Sequence, residues 1–310
     1  MNTEFTLIKS SHFFAYQKFP LYYQSVNGDF VLYKPAGITL EDMRIRERLL
    51  HKKLYIQNKN KVKAVKEIQK EFNSQLKQSI QQKDQANVRN IVQNVVKVTL
   101  EEPVSGSIEG IDETVGILVS EFTKDFNVIK SLLDLTAKDY TMVLHSVNVM
   151  ALALGYASYV NYDQGQKRIL GLAALLHDVG KVRVKTEVLQ APRQLTDEEF
   201  KEVQQHTVKG YNILDKCKFS NPEIKMTALQ HHEKLDGTGY PLQTFKITEF
   251  AQIVSIIDCY EALTNDDRLY RKSLAPLNAL EIIQSEIVDT GKFSKEIFKN
   301  FARLLLLFYN

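Results

Sequence analysis

The stretch Ile169-Leu170-Gly171-Leu172-Ala173-Ala174-Leu175-Leu176-His177-Asp178-Val179-Gly180-Lys181 decides how the rest of the chain is read. It is an apolar run that ends abruptly in an imidazole, a carboxylate, a glycine and a lysine. On either side, apolar residues recur at a period near 3.6 over 112–135, 138–160, 166–179, 197–217, 222–232, 248–265, 276–288 and 294–309. Thr196-Asp197-Glu198-Glu199 has the form of a capping box, and Asn221-Pro222 supplies an N-cap followed by proline at the first helical position. No strand pattern competes, so residues 109–310 read as one all-α domain.

Before residue 109 the texture changes twice. Phe19–Ser25 and Phe30–Lys34 are rich in aromatic and β-branched residues and flank Val26-Asn27-Gly28-Asp29, whose Asn-Gly pair predicts a hairpin turn. Thr39–Leu54 then predicts a helix, and residues 1–58 together read as a small α/β module. Residues 59–108 are rich in lysine and glutamine, with apolar positions at Val62, Val65, Ile68, Phe72, Leu76, Ile80, Val88, Ile91, Val95 and Val98. The spacing skips a beat at Asp84, predicting one long or two consecutive amphipathic helices. Their stripe reads as a packed helix face, with a homodimer seam as the alternative. Glu102-Pro103-Val104-Ser105-Gly106-Ser107 ends this helical linker.

Composition bounds the function classes. A chain of 310 residues holds one large or two smaller domains, and 44% hydrophobic with 25% charged residues is ordinary globular usage. Forty basic and 37 acidic residues leave a net charge of +3, too balanced to argue for DNA or a membrane surface. Cys217 and Cys259 fit no metal or redox spacing, which points to a reducing cytoplasm. Met1–Phe14 lacks the features of a signal peptide, and Leu304–Tyr309 is too short to span a bilayer, so no membrane insertion is expected.

The chemistry lies in the histidines: His12, His51, His145, His177, His206, His231 and His232. The last five fall in or at the ends of predicted helices. Asp258 lies among Ile253, Val254, Ile256 and Ile257, where a lone carboxylate would be desolvated and would need a partner or a metal. Neutral imidazoles and carboxylates at the ends of bundle helices are the donors a first-row transition metal takes. Each residue alone has a blander reading. A single helical histidine is most often a packed or surface residue, His-Asp pairs occur by chance, and Asp258 could cap a helix or pair with Arg268. Adjacent histidines lie about 100° apart on a helix, so His231 and His232 can share an ion only at a helix end, which Gly237 and Gly239 make available.

Taken in order, the segments are Leu144-His145-Ser146-Val147-Asn148-Val149, His177-Asp178-Val179-Gly180-Lys181, and His206 in the helix after Pro192. His231-His232-Glu233-Lys234-Leu235-Asp236-Gly237-Thr238-Gly239-Tyr240-Pro241 and Ile257-Asp258-Cys259-Tyr260-Glu261-Ala262-Leu263-Thr264 complete the series. This order resembles the HD-GYP family of the HD phosphohydrolase superfamily, over roughly residues 135–290. The resemblance implies a mainly α protein: an all-helical HD-type catalytic domain at 109–310, preceded by the α/β module and the helical linker. It further implies hydrolysis of cyclic di-GMP to linear pGpG, and on to GMP, with two divalent ions, iron or manganese. Carried onto this chain, one ion would be held by His145, His177, Asp178 and Asp258. The other would be held by His206, His231 and His232, with Asp178 as the bridge. Lys181 would sit beside the attacked phosphate, Tyr240 near the nucleotide, and Arg268 and Arg271 near phosphate or guanine.

Two ions about 4 Å apart lower the pKa of a shared water from roughly 15.7 to near 7, so that hydroxide is available for in-line attack at neutral pH. A fixed lysine then stabilises charge building on the non-bridging oxygens. The chain departs from the family at two points. Thr141 stands where three-metal members carry a glutamate one turn before the first histidine, which favours two ions. Thr264-Asn265-Asp266-Asp267-Arg268-Leu269-Tyr270-Arg271 has one extra residue, and leucine for the usual proline. Two other functions compete with this reading: a hydrolase for another cyclic dinucleotide, and a cyclic-di-GMP-binding signalling module with little or no turnover.

Overall fold

The computed structural model describes residues 4–8, 16, 18–38, 53–101, 108–122, 132–133, 141–217, 221–265 and 273–309. The amino-terminal part is a four-stranded antiparallel sheet of β1 (Phe5–Ile8), β2 (Leu21–Gln24), β3 (Phe30–Lys34) and β4 (Leu54–Gln57), in the order β1-β4-β2-β3. The predicted hairpin joins β2 to β3. Ser25 N–H donates to Asp29 O at 2.8 Å, and Gly28 takes φ +89°, a region open to glycine without steric cost. One face of the sheet buries Leu21, Leu54 and Ile56. The other carries a ring cluster in which Phe5 stacks on Phe30 at 4.2 Å, edged by Tyr22 and Tyr55.

The helix predicted over Thr39–Leu54 fails at its last residue. Residues 39–52 lie outside the described residues, and Leu54 is the first residue of β4, paired with Ile8 on one side and Tyr23 on the other. Pairing on both edges satisfies the backbone of Leu54–Gln57 and buries alternate side chains, an advantage that four residues of local sequence do not reveal.

α1 (Asn58–Gln81) and α2 (Gln85–Glu101) form the two consecutive helices that the spacing allows. The chain turns between them at Lys83, with φ 59°, and Asp84 Oδ1 accepts from Asn87 N–H at 3.1 Å to start α2. Val65, Ile68, Phe72, Leu76, Val88, Ile91, Val95 and Val98 are all buried within the chain, as a packed helix face requires. α1 packs on α2 and on α3 (Ile108–Phe122), and α2 packs on α3 and on α4 (Met142–Tyr159).

α4 is the central helix. Among the described residues it is the one helix long and apolar enough to cross a membrane, and Leu144–Ala157 are buried in protein on all sides. It packs against α2, α5 (Gln164–Leu176), α10 (Glu249–Thr264) and α12 (Lys295–Tyr309). α5 opens on a full capping box between Asp163 and Gln166 and ends at Leu176, followed by a 3₁₀ turn at Val179–Arg183 and the short α6 (Thr186–Leu189). The segment predicted as one helix over 197–217 is two, α7 (Asp197–Gln204) and α8 (His206–Lys216), divided at Gln205. α9 (Pro222–Gln230) packs on α5, α8 and α10. The segment predicted over 276–288 is α11 (Pro276–Ile282) followed by a π turn, Ile283–Val288.

The 3₁₀ turn after Asp178 is pressed against the start of α8. A Cβ on Gly180 would lie 1.9 Å from His206 O and 2.5 Å from Gly210 N, both rigid backbone atoms. Only glycine lets the two segments approach. Overpacking of this kind costs about 1–3 kcal/mol or more, so Gly180→Ala is expected to lower stability by at least about 2 kcal/mol. Chemical denaturation reads this directly, and an unchanged midpoint would contradict the close approach.

Candidate metal centre

Five elements deliver seven side chains to one buried place. His145 lies in the first turn of α4, His177 caps the C-terminus of α5, and Asp178 follows it. His206 opens α8, His231 caps α9 with His232 just beyond, and Asp258 stands on α10. The expectation that His231 and His232 need a helix end is met, since α9 stops at Gln230.

Asp178 stands at the centre and divides the donors into two groups. Its Oδ2 lies 3.4 Å from His145 Nε2 and 3.5 Å from His177 Nε2. Its Oδ1 lies 3.2 Å from His206 Nε2 and 3.7 Å from His231 Nε2. Asp258 Oδ1 joins the first group, 3.2 Å from His145 Nε2 and 3.9 Å from His177 Nε2. His232 joins the second, whose donor atoms on Asp178, His206, His231 and His232 all lie within 4.8 Å of one another. Lys181 Nζ bonds to Asp178 Oδ2, so the lysine approaches the cluster through that carboxylate.

The far side of each anchored imidazole fixes its proton. His177 Nδ1 donates to Ala174 O at 2.6 Å, and His206 Nδ1 to Val203 O at 2.6 Å. His231 Nδ1 is shared between Thr227 O and Ala228 O, each at 3.1 Å. A carbonyl can only accept, so each of these rings carries its hydrogen on Nδ1 and turns an Nε2 lone pair inward. His145 does the same against a carboxylate, with Nδ1 2.6 Å from Glu261 Oε2. The inward atoms then face each other in pairs, His145 with His177 at 3.3 Å and His206 with His231 at 3.2 Å. Lone pairs at that range repel unless a cation lies among them. Asp178 Oδ1 is likewise buried with no hydrogen-bond partner among the described residues. The nitrogen and carboxylate donors therefore fit divalent transition ions.

Electrostatics point the same way. Burial pushes Asp178 upward, but the Lys181 ammonium and the imidazoles of His177 and His145 outweigh it and hold the carboxyl well below the usual range. Asp258 is driven up by burial and brought down further by His145, His177 and His232. Burial drags His231 down to about 4 against the pull of Asp178, and His232 falls too, through burial and then through His231 and His206. The two carboxylates are thus held ionised, and His231 and His232 are held neutral at neutral pH, the forms that metal binding requires.

The other expected residues divide. The Tyr240 ring stacks on His232 at 4.7 Å and 25°. Arg268, Arg271, His12 and His51 lie outside the described residues. Thr141, expected on the helix face of His145, is not in the helix. It is the N-cap of α4, with extended backbone, and its hydroxyl accepts from Leu144 N–H at 3.2 Å.

Two carboxylates escaped the sequence reading. Glu261 is fully buried and also accepts from Asn148 Nδ2 and Asn265 Nδ2, each at 2.9 Å, so it locks the orientation of His145 from behind. Its position one helical turn after Asp258 was the available signal. Glu233 is buried as well and accepts from Leu242 N–H at 2.5 Å and Thr244 N–H at 3.2 Å, while Tyr240 N–H donates to His232 O at 3.2 Å. These bonds tie the loop that carries Tyr240 to the end of α9.

Comparison with known proteins agrees with this geometry. The HD domain family matches residues 128–290, just over half of the chain. A cyclic di-GMP phosphodiesterase of Pseudomonas aeruginosa is 36% identical over 179 residues, 57% of this chain and 42% of that protein. A 3'3'-cGAMP-specific phosphodiesterase of Vibrio cholerae is 31% identical over 169 residues, 54% of this chain and 38% of that one. The chain thus spans less than half the length of these curated relatives. The solved structure of an HDG"Y"P protein from Bdellovibrio bacteriovorus superposes with a TM-score of 0.64 at 20% identity, covering 97% of this chain and 99% of that one, a likeness of fold. The chain belongs to the HD domain family.

Partners that orient a ligating histidine are worth about 10- to 100-fold in metal affinity. Glu261→Gln is therefore expected to weaken metal binding by about that factor while leaving the fold intact, as read by chelator competition alongside circular dichroism. Unchanged affinity would remove Glu261 from the metal centre.

Proposed function

We propose that this chain is a metal-dependent phosphodiesterase that hydrolyses a cyclic dinucleotide, cyclic di-GMP in the first place, to linear pGpG and onward to GMP. The observation that carries the reading is the convergence of His145, His177, His206, His231, His232 and Asp258 on the two oxygens of Asp178. Two bound iron or manganese ions would bring the pKa of a shared water from roughly 15.7 toward 7 and offset the charge of the phosphodiester. Asp178 holds both groups of donors at one spacing. Lys181, about a quarter exposed at the edge of the cluster, brings a positive charge to the non-bridging oxygens of an anionic substrate. Burial, and then the charges of Asp178 and Asp258, push the Tyr240 phenol up, so its hydroxyl stays protonated and can donate. Water adds to phosphorus, the P–O3′ bond breaks, and the 3′ oxygen leaves with a proton. Catalysis is assigned to residues 109–310, with 59–108 as a helical linker and 1–58 as a small module, in a chain acting from the cytoplasm.

The seven donors face the phosphate and not the bases, and relatives of this chain are named for cyclic di-GMP and for 3'3'-cGAMP alike. Both nucleotides therefore belong in the decisive experiment. Manganese- or iron-loaded protein is incubated with each and the products are resolved by chromatography, with linear dinucleotide expected from cyclic di-GMP. Two ions per chain are expected by elemental analysis, and fewer in Asp178→Ala, which also loses turnover. A full complement of metal in that variant would contradict the bridge, and no hydrolysis of either nucleotide by the wild-type chain would overturn the reading.

Lys181→Ala separates chemistry from metal binding. The variant is expected to keep both ions while kcat falls by about 100- to 1,000-fold, as on losing one donor to a developing oxyanion. Single-turnover kinetics at saturating metal measures this, and a normal rate would mean that the lysine serves Asp178 alone.

A further inference from the structure

Helix α7 has an unusual supply of stabilisation. None of its eight residues is fully buried, and it is held by polar devices at its start. Thr196 and Glu199 close a capping box, and Arg193 grips Glu199 in a bidentate pair at 2.7 and 2.8 Å. On this helix sits Phe200, with 49% of its surface exposed. A single exposed apolar residue carries no meaning by itself. What distinguishes Phe200 is its neighbour. Its ring lies edge-to-face with Tyr240, centroids 6.4 Å apart at 78°, and Tyr240 in turn stacks on His232 at 4.7 Å. Three rings thus lead from the metal-facing donors outward to the surface.

Resting on the reading that the ligand is a cyclic dinucleotide, we propose that Phe200 is a nucleobase platform. With a phosphate seated at the metal centre, the base lies one ribose away, and the Phe200 face beside Tyr240 stacks it. A phenyl ring has no hydrogen-bonding group, so the platform contributes affinity for a purine without reading its edge. Guanine and adenine are accepted alike, because every base offers a π face. The half-exposed ring loses its contact with water in the same event.

The test uses the full, manganese-loaded chain in the slow Lys181→Ala background and a cyclic dinucleotide in which one base is 2-aminopurine, whose fluorescence is quenched by stacking. Affinity is taken from the quenching titration, independently of turnover. Phe200→Ala is expected to weaken binding about tenfold or more and to diminish the quench, whereas Phe200→Trp restores both. Thermal midpoints of both variants should stay at the wild-type value, since the ring is not in the core. Equal affinity in Phe200→Ala would overturn the platform. If the wild type hydrolyses cyclic di-GMP but its binding is indifferent to Phe200, the platform fails and the phosphodiesterase reading stands. If binding depends on Phe200 but no nucleotide is hydrolysed, the platform stands and the catalytic reading fails. No binding at all would overturn both.

Discussion

Asp178 is buried to about 1% exposure with an oxygen turned toward each of two groups of imidazoles, and the surrounding helices are arranged around that arrangement. An ionised carboxylate taken out of water costs several kcal/mol unless compensated. Lys181 compensates on one oxygen, and the imidazoles anchored through Nδ1 turn Nε2 lone pairs toward the centre. Only cations between the donors complete the balance. The imidazoles in turn dictate where helices stop. His177, His206 and His231 each donate Nδ1–H to a carbonyl three or four residues earlier, in the last turn of α5, α7 and α9 respectively. Last-turn carbonyls have no partner within their helix. Three helices thus end in carbonyls that orient these rings.

The break at Gln205 follows from the same rule. Apolar periodicity runs through 197–217 and reads as one helix, but a continuous α-helix would keep Val203 O for a backbone N–H. With α7 ending at Gln204, that carbonyl accepts from the Gln205 N–H and from His206 Nδ1. Periodicity records which side chains are apolar and is silent on where a backbone carbonyl is needed. The ligand histidines were legible because their order and spacing are themselves the constraint. Glu261 was not, because its role rests on a contact with a residue 116 positions away. Thr141 was placed on a helix face by counting four residues back from His145, and the cap it forms became visible only from the backbone. β1 and β4 are four residues each, too short to show a period, and they exist because each satisfies the other's backbone. The β2–β3 hairpin, by contrast, is written locally in Asn27-Gly28.

The floor of the site and its rim are stabilised by different physics. The floor is fixed from behind by buried hydrogen bonds. Glu261 braces His145, carbonyls brace three other rings, and Gly180 lets the turn after Asp178 lie directly against the backbone of α8. A shift of any of these would disturb both donor groups at once, through Asp178. The rim rests on α7, which buries nothing fully, and on a loop tied down by Glu233. A phosphodiester bond is the same in every cyclic dinucleotide, whereas the bases differ. On the proposed function, such a site can keep one chemistry while its affinity for a nucleotide is altered by exposed residues such as Phe200, whose ring reaches Tyr240.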